Sequence, residues 1–316
     1  MKHTILLAAV IGIAVAYMLT PLVRNLASRL GIVAHPGGRR VHTRPTPLMG
    51  GLAMYAAFII SVVAITALRT GLSFDRQTMG VLLGGTLVAI VGILDDKYEL
   101  PGWVQAGSIL VGGVILLVFG VKIQYISSPV KIVFGLFSIP VTLLWILMVT
   151  KAVDCMDGLD GLAAGISAIA AGTLMLMALK AGHRFEMSGV MAAALMGAAI
   201  GFLRYNYPPA KIFMGTIGAQ FLGFTLAGIS IIGAFKTAAL VAVAAPILVL
   251  GVPLLDTTFV VLKRILSGKK MHEADTSHLH HRLVDRGLSH RQTIWFIYAL
   301  TLGFCGVAYA LFSYIK

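Results

Sequence analysis

Long apolar stretches recur along the chain, separated by short polar links. Each is close to the ~20 residues that a helix needs to cross a hydrocarbon core. They lie near 4–22, 48–68, 78–95, 104–121, 133–150, 158–179, 187–203, 214–233, 237–262 and 292–314. The pattern predicts an all-α, polytopic membrane protein of about ten transmembrane helices, forming a single domain over 1–316. Pro246 and Pro253 fall inside the 237–262 run, which predicts a kink or a break there. No small-residue cleavage pattern follows the first run, so it reads as a retained helix. Internal repeats and low-complexity tracts are absent from the sequence.

Composition agrees with the pattern. The chain is 58% hydrophobic and 12% charged, with a mean hydropathy of +0.92, whereas soluble domains carry about 25% charged residues. Cys155 and Cys305 lie in or beside apolar runs and suggest neither a disulfide framework nor metal-ligand spacing. A net charge of +13 would raise nucleic acid as a partner for a soluble protein. Here the bases gather in particular loops without interleaved aromatics, which points to anionic ligands at a membrane surface and to no nucleic acid.

The alternating loops divide the charges. One side holds Arg24, Arg29, Arg39, Arg40, Arg44, Lys97, Lys151, Arg204, Lys211 and the bases between Lys263 and Arg291; the positive-inside rule makes this side cytoplasmic. An even number of spans then puts both termini outside. All the acids but Asp75 and Glu186 gather on that basic side too. Charge bias alone does not predict acids collecting with bases, but a polar reaction site on the cytoplasmic loops does.

The densest part of that face is Lys151 to Leu162, KAVDCMDGLDGL. It spaces Asp154, Asp157 and Asp160 three apart, which on one helical face makes neighbours that repel and resist burial. Beside a membrane such acids need a counter-charge, a metal ion or a cationic group. A solvated polar loop is the bland alternative, and the glycines after Asp157 and Asp160 argue against it, because they bring backbone close to something. Asp95 and Asp96 close the third apolar run, where adjacent carboxylates can ligate Mg²⁺ or divide into an acid and a base; a solvated loop competes. Arg39, Arg40 and His42 precede Gly50-Gly51 and suit phosphate oxygens, although topogenic arginines explain the same charge. Asn206 and Lys211 flank Pro208-Pro209 just before Gly215 and Gly218, a weak phosphate signal. His278, His280 and His281, next to Arg282, favour contact with a diphosphate or a metal over chance.

Together these pieces resemble the polyprenyl-phosphate N-acetylhexosamine-1-phosphate transferases, membrane enzymes that begin bacterial cell-wall and surface-polysaccharide lipid carriers. The resemblance runs from Arg39–His42 through Gly50-Gly51, Asp95-Asp96 and Asp157–Gly161, then Asn206–Gly215, Pro253, Asp256-Thr257 and His278–Arg282. The HLHHRL form looks closer to the N-acetylglucosamine branch than to the muramoyl-pentapeptide branch. It implies a bacterial plasma-membrane enzyme that transfers a sugar-1-phosphate from a UDP-sugar to polyprenyl phosphate with Mg²⁺. By the same resemblance, Asp95 and Asp96 serve the lipid phosphate or act as base, and Asp157 and Asp160 lie at nucleotide and metal. The histidine loop would then hold the diphosphate or the sugar, and Arg40, His42, Lys151, Asn206 and Lys211 are expected substrate contacts.

Departures from the family pattern fall at the chemistry. Thr216 and Ile217 stand where the family reads aspartate and serine or threonine; Lys151 replaces an asparagine; Gln105 replaces a lysine; His35, Leu48 and Thr276 replace other polar residues. One reading is an active enzyme with a rearranged metal site of Asp154, Asp157 and Asp160, with Lys151 neutralising phosphate charge. The alternative is a degenerate paralogue that binds polyprenyl phosphate or nucleotide-sugar without turnover. A transporter would predict acids at mid-helix depth and an internal repeat, neither of which the sequence has. Laterally packed apolar helices leave a homodimer open.

Overall fold

The computed structural model describes residues 1–34, 45–69, 72, 74–127, 131–233, 247–266 and 278–314. Helices α1 (Lys2–Arg29), α2 (Gly50–Leu68), α3 (Arg76–Tyr98), α4 (Gly102–Val118), α5 (Ser138–Cys155), α6 (Leu162–Ala181), α7 (Glu186–Asn206) and α8 (Gly215–Ile232) follow the apolar runs. They are succeeded by α9 (Gly251–Leu266), the short α10 (Leu279–Asp285) and α11 (His290–Tyr314). Among the described residues, eight helices are long and apolar enough to cross a membrane, and α4 is a shorter apolar helix. Residues 237–246 of the ninth run lie outside the described residues.

Between lipid-like surfaces, packing must come from close contact, since there is no water to escape from. The chain supplies that contact with small residues. Gly197 and Gly201 of α7, four apart, meet the α1 backbone at Ala9 and Ile13. Gly51 of α2 lies directly on Gly218 of α8. Helices α6, α7 and α8 are the most enclosed, and α1, α2, α3, α5 and α11 pack around them.

Pro253 removes the N–H that would bond Val249, and a turn at Leu250 separates Ile247–Val249 from α9. The freed Val249 carbonyl takes the Cys305 thiol of α11 at 3.7 Å. The sequence predicted this interruption.

At one end of the bundle, backbone bonds join the segment before α2 to the segment before α8. Phe213 N–H donates to Pro47 O, Gly50 N–H to Phe213 O, and Gly51 N–H to Met214 O, at 2.8–2.9 Å. The antiparallel pair β1 (Val33–Ala34) and β2 (Thr46–Pro47) anchors the same corner. Asp75 and Glu186 lie at the other end. Asp75 caps α3, and Glu186 pairs with Arg69 at 2.8 Å. Among the described residues, the acids therefore divide as the loops predicted.

Candidate active site

The ends of α3, α5 and α7 and the starts of α6, α8 and α10 bring the polar residues together. Helix α3 ends with Asp95 and Asp96, and Glu99 closes it in a left-handed conformation (φ 49°). Asp96 Oδ1 accepts the Thr216 N–H at the start of α8, at 2.7 Å. A helix N-terminus favours a carboxylate there. Gly215, at φ 69°, makes room, because a side chain on it would enter the Asp96 carboxylate. Asp96 Oδ2 is buried without a partner.

Asp154, Asp157 and Asp160 do not share a helical face. Helix α5 stops at Cys155, and a turn through Gly158 to Gly161 leads into α6. Gly161, at φ 77°, is the residue before α6 and carries the left-handed turn. Three different side-chain environments result. Asp154 Oδ2 accepts the Lys151 ammonium at 2.7 Å. Asp160 Oδ2 accepts the Ala210 N–H at 2.9 Å. Asp157 is crowded by protein yet keeps an opening to solvent. Burial first, then the charges of Asp154, Asp96 and Asp160, push its carboxyl well above the usual carboxylate range.

Among the described residues no group of three His, Cys, Asp or Glu side chains converges to hold a metal. Of the expected metal set, Asp154 gives one oxygen to Lys151 and Asp160 gives one to the Ala210 N–H, while Asp157 lies between them.

Asn206 also has a different task from the substrate contact expected of it. It is 1% exposed, and both ends of its amide are used. Its Oδ1 accepts the Gly161 N–H at 2.9 Å and its Nδ2 donates to Ile212 O at 3.0 Å. It pins the acidic turn to the segment that positions α8. Lys211 is exposed at the rim. Arg40 and His42 lie outside the described residues.

The histidines meet the acidic turn from α10. His278 Nδ1 lies 2.8 Å from Asp256 Oδ2 of α9, and Asp256 Oδ1 accepts the Leu279 N–H at 2.6 Å. Burial works against charge on His278, but hydrogen bonding to Asp256 and to Cys155 outweighs it and raises the pKa to about 9. His280 is 1% exposed, packs against Gly158, and has both ring nitrogens unpartnered. Burial, then His281 and His278, lower its pKa to about 3, so it is neutral at working pH. His281 touches the His280 ring, and the Arg282 guanidinium lies over Phe259.

Sequence reasoning missed two members of this centre. Asp256 entered only as part of the resemblance, without a role of its own. Gln220 of α8, fully buried, donates to Gln105 Oε1 at 3.0 Å. A lone amide inside an apolar span was the signal that could have found it.

A membrane-embedded helical bundle that gathers carboxylates, an ammonium and histidines at one end defines a class of protein suited to anionic, phosphate-bearing substrates. Known proteins narrow that class. The glycosyl transferase family 4 model matches residues 78–234. The probable undecaprenyl-phosphate N-acetylglucosaminyl 1-phosphate transferase of Bacillus subtilis (strain 168) is 36% identical over 299 residues, covering 94% of this chain and 82% of that protein. The decaprenyl-phosphate N-acetylglucosaminephosphotransferase of Mycobacterium tuberculosis (strain ATCC 25618 / H37Rv) is 33% identical over 318 residues, covering 92% and 79%. The phospho-N-acetylmuramoyl-pentapeptide-transferase of Clostridium botulinum (strain Alaska E43 / Type E3) is 33% identical over 249 residues, covering 73% and 75%. The chain belongs to glycosyl transferase family 4, a family of membrane transferases.

Proposed function

We propose that the chain transfers N-acetylglucosamine-1-phosphate from UDP-N-acetylglucosamine to a polyprenyl phosphate at the cytoplasmic face of a bacterial plasma membrane. A phosphate oxygen of the lipid forms a bond to the β-phosphorus of the UDP-sugar. The bond from that phosphorus to the bridging oxygen breaks, and UMP leaves with the oxygen. The observation that carries the reading is the convergence of Asp95, Asp96, Lys151, Asp157 and His280 at one end of the bundle. The polyprenyl phosphate and the transferred N-acetylglucosamine phosphate follow the relatives' names, and the UDP carrier follows from the family resemblance of the motifs.

Both reactants are anionic, so positioning and charge neutralisation supply most of the catalysis. The donor set fits Mg²⁺, which takes one or two carboxylates beside substrate phosphates and waters. Asp96 offers a buried, unpartnered Oδ2, and Asp157 lies near enough to feel its charge. Those two residues would hold the ion, which supplies charge to offset the phosphate oxygens. Lys151 brings a fixed cation from α5. Neutral His280 lends a hydrogen-bonding ring to the sugar-diphosphate, and the Asp256–His278 pair holds its loop in place.

The test offers the purified protein two labelled sugar nucleotides with polyprenyl phosphate. Labelled lipid and UMP in equal amounts from UDP-N-acetylglucosamine, with none from UDP-N-acetylmuramoyl-pentapeptide, is the expected result. The opposite preference would overturn the sugar assignment.

A further inference from the structure

Lys151 is not a free surface lysine. Its Nζ donates to Gln105 Oε1 of α4 and to Asp154 Oδ2, each at 2.7 Å. Gln105 in turn donates through Nε2 to Asp95 Oδ1 at 2.9 Å. Gln220 Nε2 donates to Gln105 Oε1 at 3.0 Å and reaches Asp154 Oδ2 at 3.4 Å. The five side chains come from α3, α4, α5 and α8.

The amide orientations follow from chemistry. An ammonium can only donate, and a carboxylate can only accept. Gln105 must therefore turn its oxygen to Lys151 and its NH₂ to Asp95. Gln220 must turn its NH₂ to the same oxygen and to Asp154, because a flipped amide would set oxygen against oxygen. That orientation leaves Gln220 Oε1 buried without a partner. The fold tolerates an unmade bond in order to keep this donor in place.

A lysine side chain is flexible and, next to several acids, would settle on whichever is nearest. The two amides prevent this. Gln105 Oε1 and Asp154 Oδ2 take two of the three N–H donors of the ammonium, and Gln220 holds both of those acceptors through its NH₂, so the ammonium is fixed while its side chain stays 30% exposed. We propose that Gln105 and Gln220 are positioning residues that aim Lys151, leaving its third N–H to take an anionic phosphate oxygen of a substrate. This inference rests on the transferase reading above. Either the lipid phosphate or the sugar diphosphate offers the same oxygen chemistry. The network also implies that the ammonium's place matters more than its parent helix. A lysine at 105 would meet the same two acids, Asp95 and Asp154, that the network now joins.

The test uses the full chain in detergent with four variants: Lys151→Gln, Gln220→Leu, Gln105→Lys, and Gln105→Lys combined with Lys151→Gln. Turnover and thermal midpoint are measured, and equilibrium binding is followed separately for farnesyl phosphate and UDP-N-acetylglucosamine. Lys151→Gln is expected to lower kcat by about 10²-fold. It should weaken binding of one of the two ligands, which identifies the source of the phosphate oxygen. The combined variant is expected to regain at least about tenfold over Lys151→Gln, because the ammonium returns from α4. Gln105→Lys alone places two ammonium groups together and should lower kcat. Gln220→Leu should lower kcat by about tenfold with KM for the UDP-sugar nearly unchanged, the pattern of an interaction that acts in the transition state.

Lys151→Gln that leaves kcat and both affinities intact would overturn the inference, even if the chain turns over. No regain in the combined variant, at an unchanged thermal midpoint, would overturn the positional claim. Binding that follows the expected pattern in a chain without turnover would support the network while refuting the transferase reading.

Discussion

The Asp96 carboxylate, at the end of α3, accepts the Thr216 backbone N–H at the start of α8 at 2.7 Å. The relationship depends on Gly215, whose positive φ and missing side chain let the acid approach the helix end. Gly215→Ala is expected to displace Asp96 and strain the backbone by roughly 1–3 kcal/mol. Turnover and the thermal midpoint should fall together. Asp96→Asn, which keeps the contact geometry, should lose turnover while the midpoint is held. Parallel assays of rate and unfolding in detergent separate the two.

The surroundings of Asp157 disfavour a charge on its carboxyl. Asp157→Asn removes the repulsion from Asp154, Asp96 and Asp160 together with the function. Turnover is expected to drop by at least about 10²-fold, while the thermal midpoint rises. A midpoint that falls would mean that the carboxylate stabilises the fold, contrary to this account.

The Asp256–His278 pair gives stability a pH signature. His278 titrates at about 9 in the fold against 6.5 ordinarily. Its contribution is fully present below 6.5 and is lost as pH rises through about 9. The thermal midpoint should fall across that alkaline window, and Asp256→Asn should flatten the fall. His280 has the opposite sign. With a folded value of about 3, it resists protonation, so stability is lost as pH drops below 6.5. A scan of unfolding midpoints over both ranges checks the two signs.

Gly51 and Gly218 set the distance between α2 and α8. Gly51→Ala would push one backbone from the other, and overpacking of this kind costs about 1–3 kcal/mol. The expected outcome is a lowered thermal midpoint and a poorer yield of monodisperse protein. Gly102→Ala, where the added methyl meets nothing within 4 Å, should leave both unchanged.

Much of the fold was legible because membrane spans follow from apolar length alone. The run near 4–22 became Lys2–Arg29, extended because helix polarity continues beyond the apolar core. The run near 133–150 shifted to Ser138–Cys155, since residues near its start form a paired strand and a 3₁₀ turn. The site was legible as a set of acids on one side. Its internal arrangement was not, because the spacing of Asp154, Asp157 and Asp160 fits a helix, whereas α5 stops at Cys155 and a turn runs to Gly161. Asn206 looked like a binding amide, but which backbone groups it would meet depends on tertiary contacts. Gln105 and Lys151, noted separately as departures, prove to be hydrogen-bonded to each other at 2.7 Å. No local pattern predicts that meeting between α4 and α5.

The central claim is that this centre is catalytically competent with Thr216 and Ile217 at the start of α8. The most direct measurement is turnover by the purified, unmodified chain, given polyprenyl phosphate, radiolabelled UDP-N-acetylglucosamine and Mg²⁺, beside a Thr216→Asp, Ile217→Ser double variant. Labelled lipid with matching UMP from the unmodified chain is the predicted result. Silence in that chain, with activity appearing only in the double variant, would contradict it and mark a binding protein whose substrate pockets outlived its chemistry.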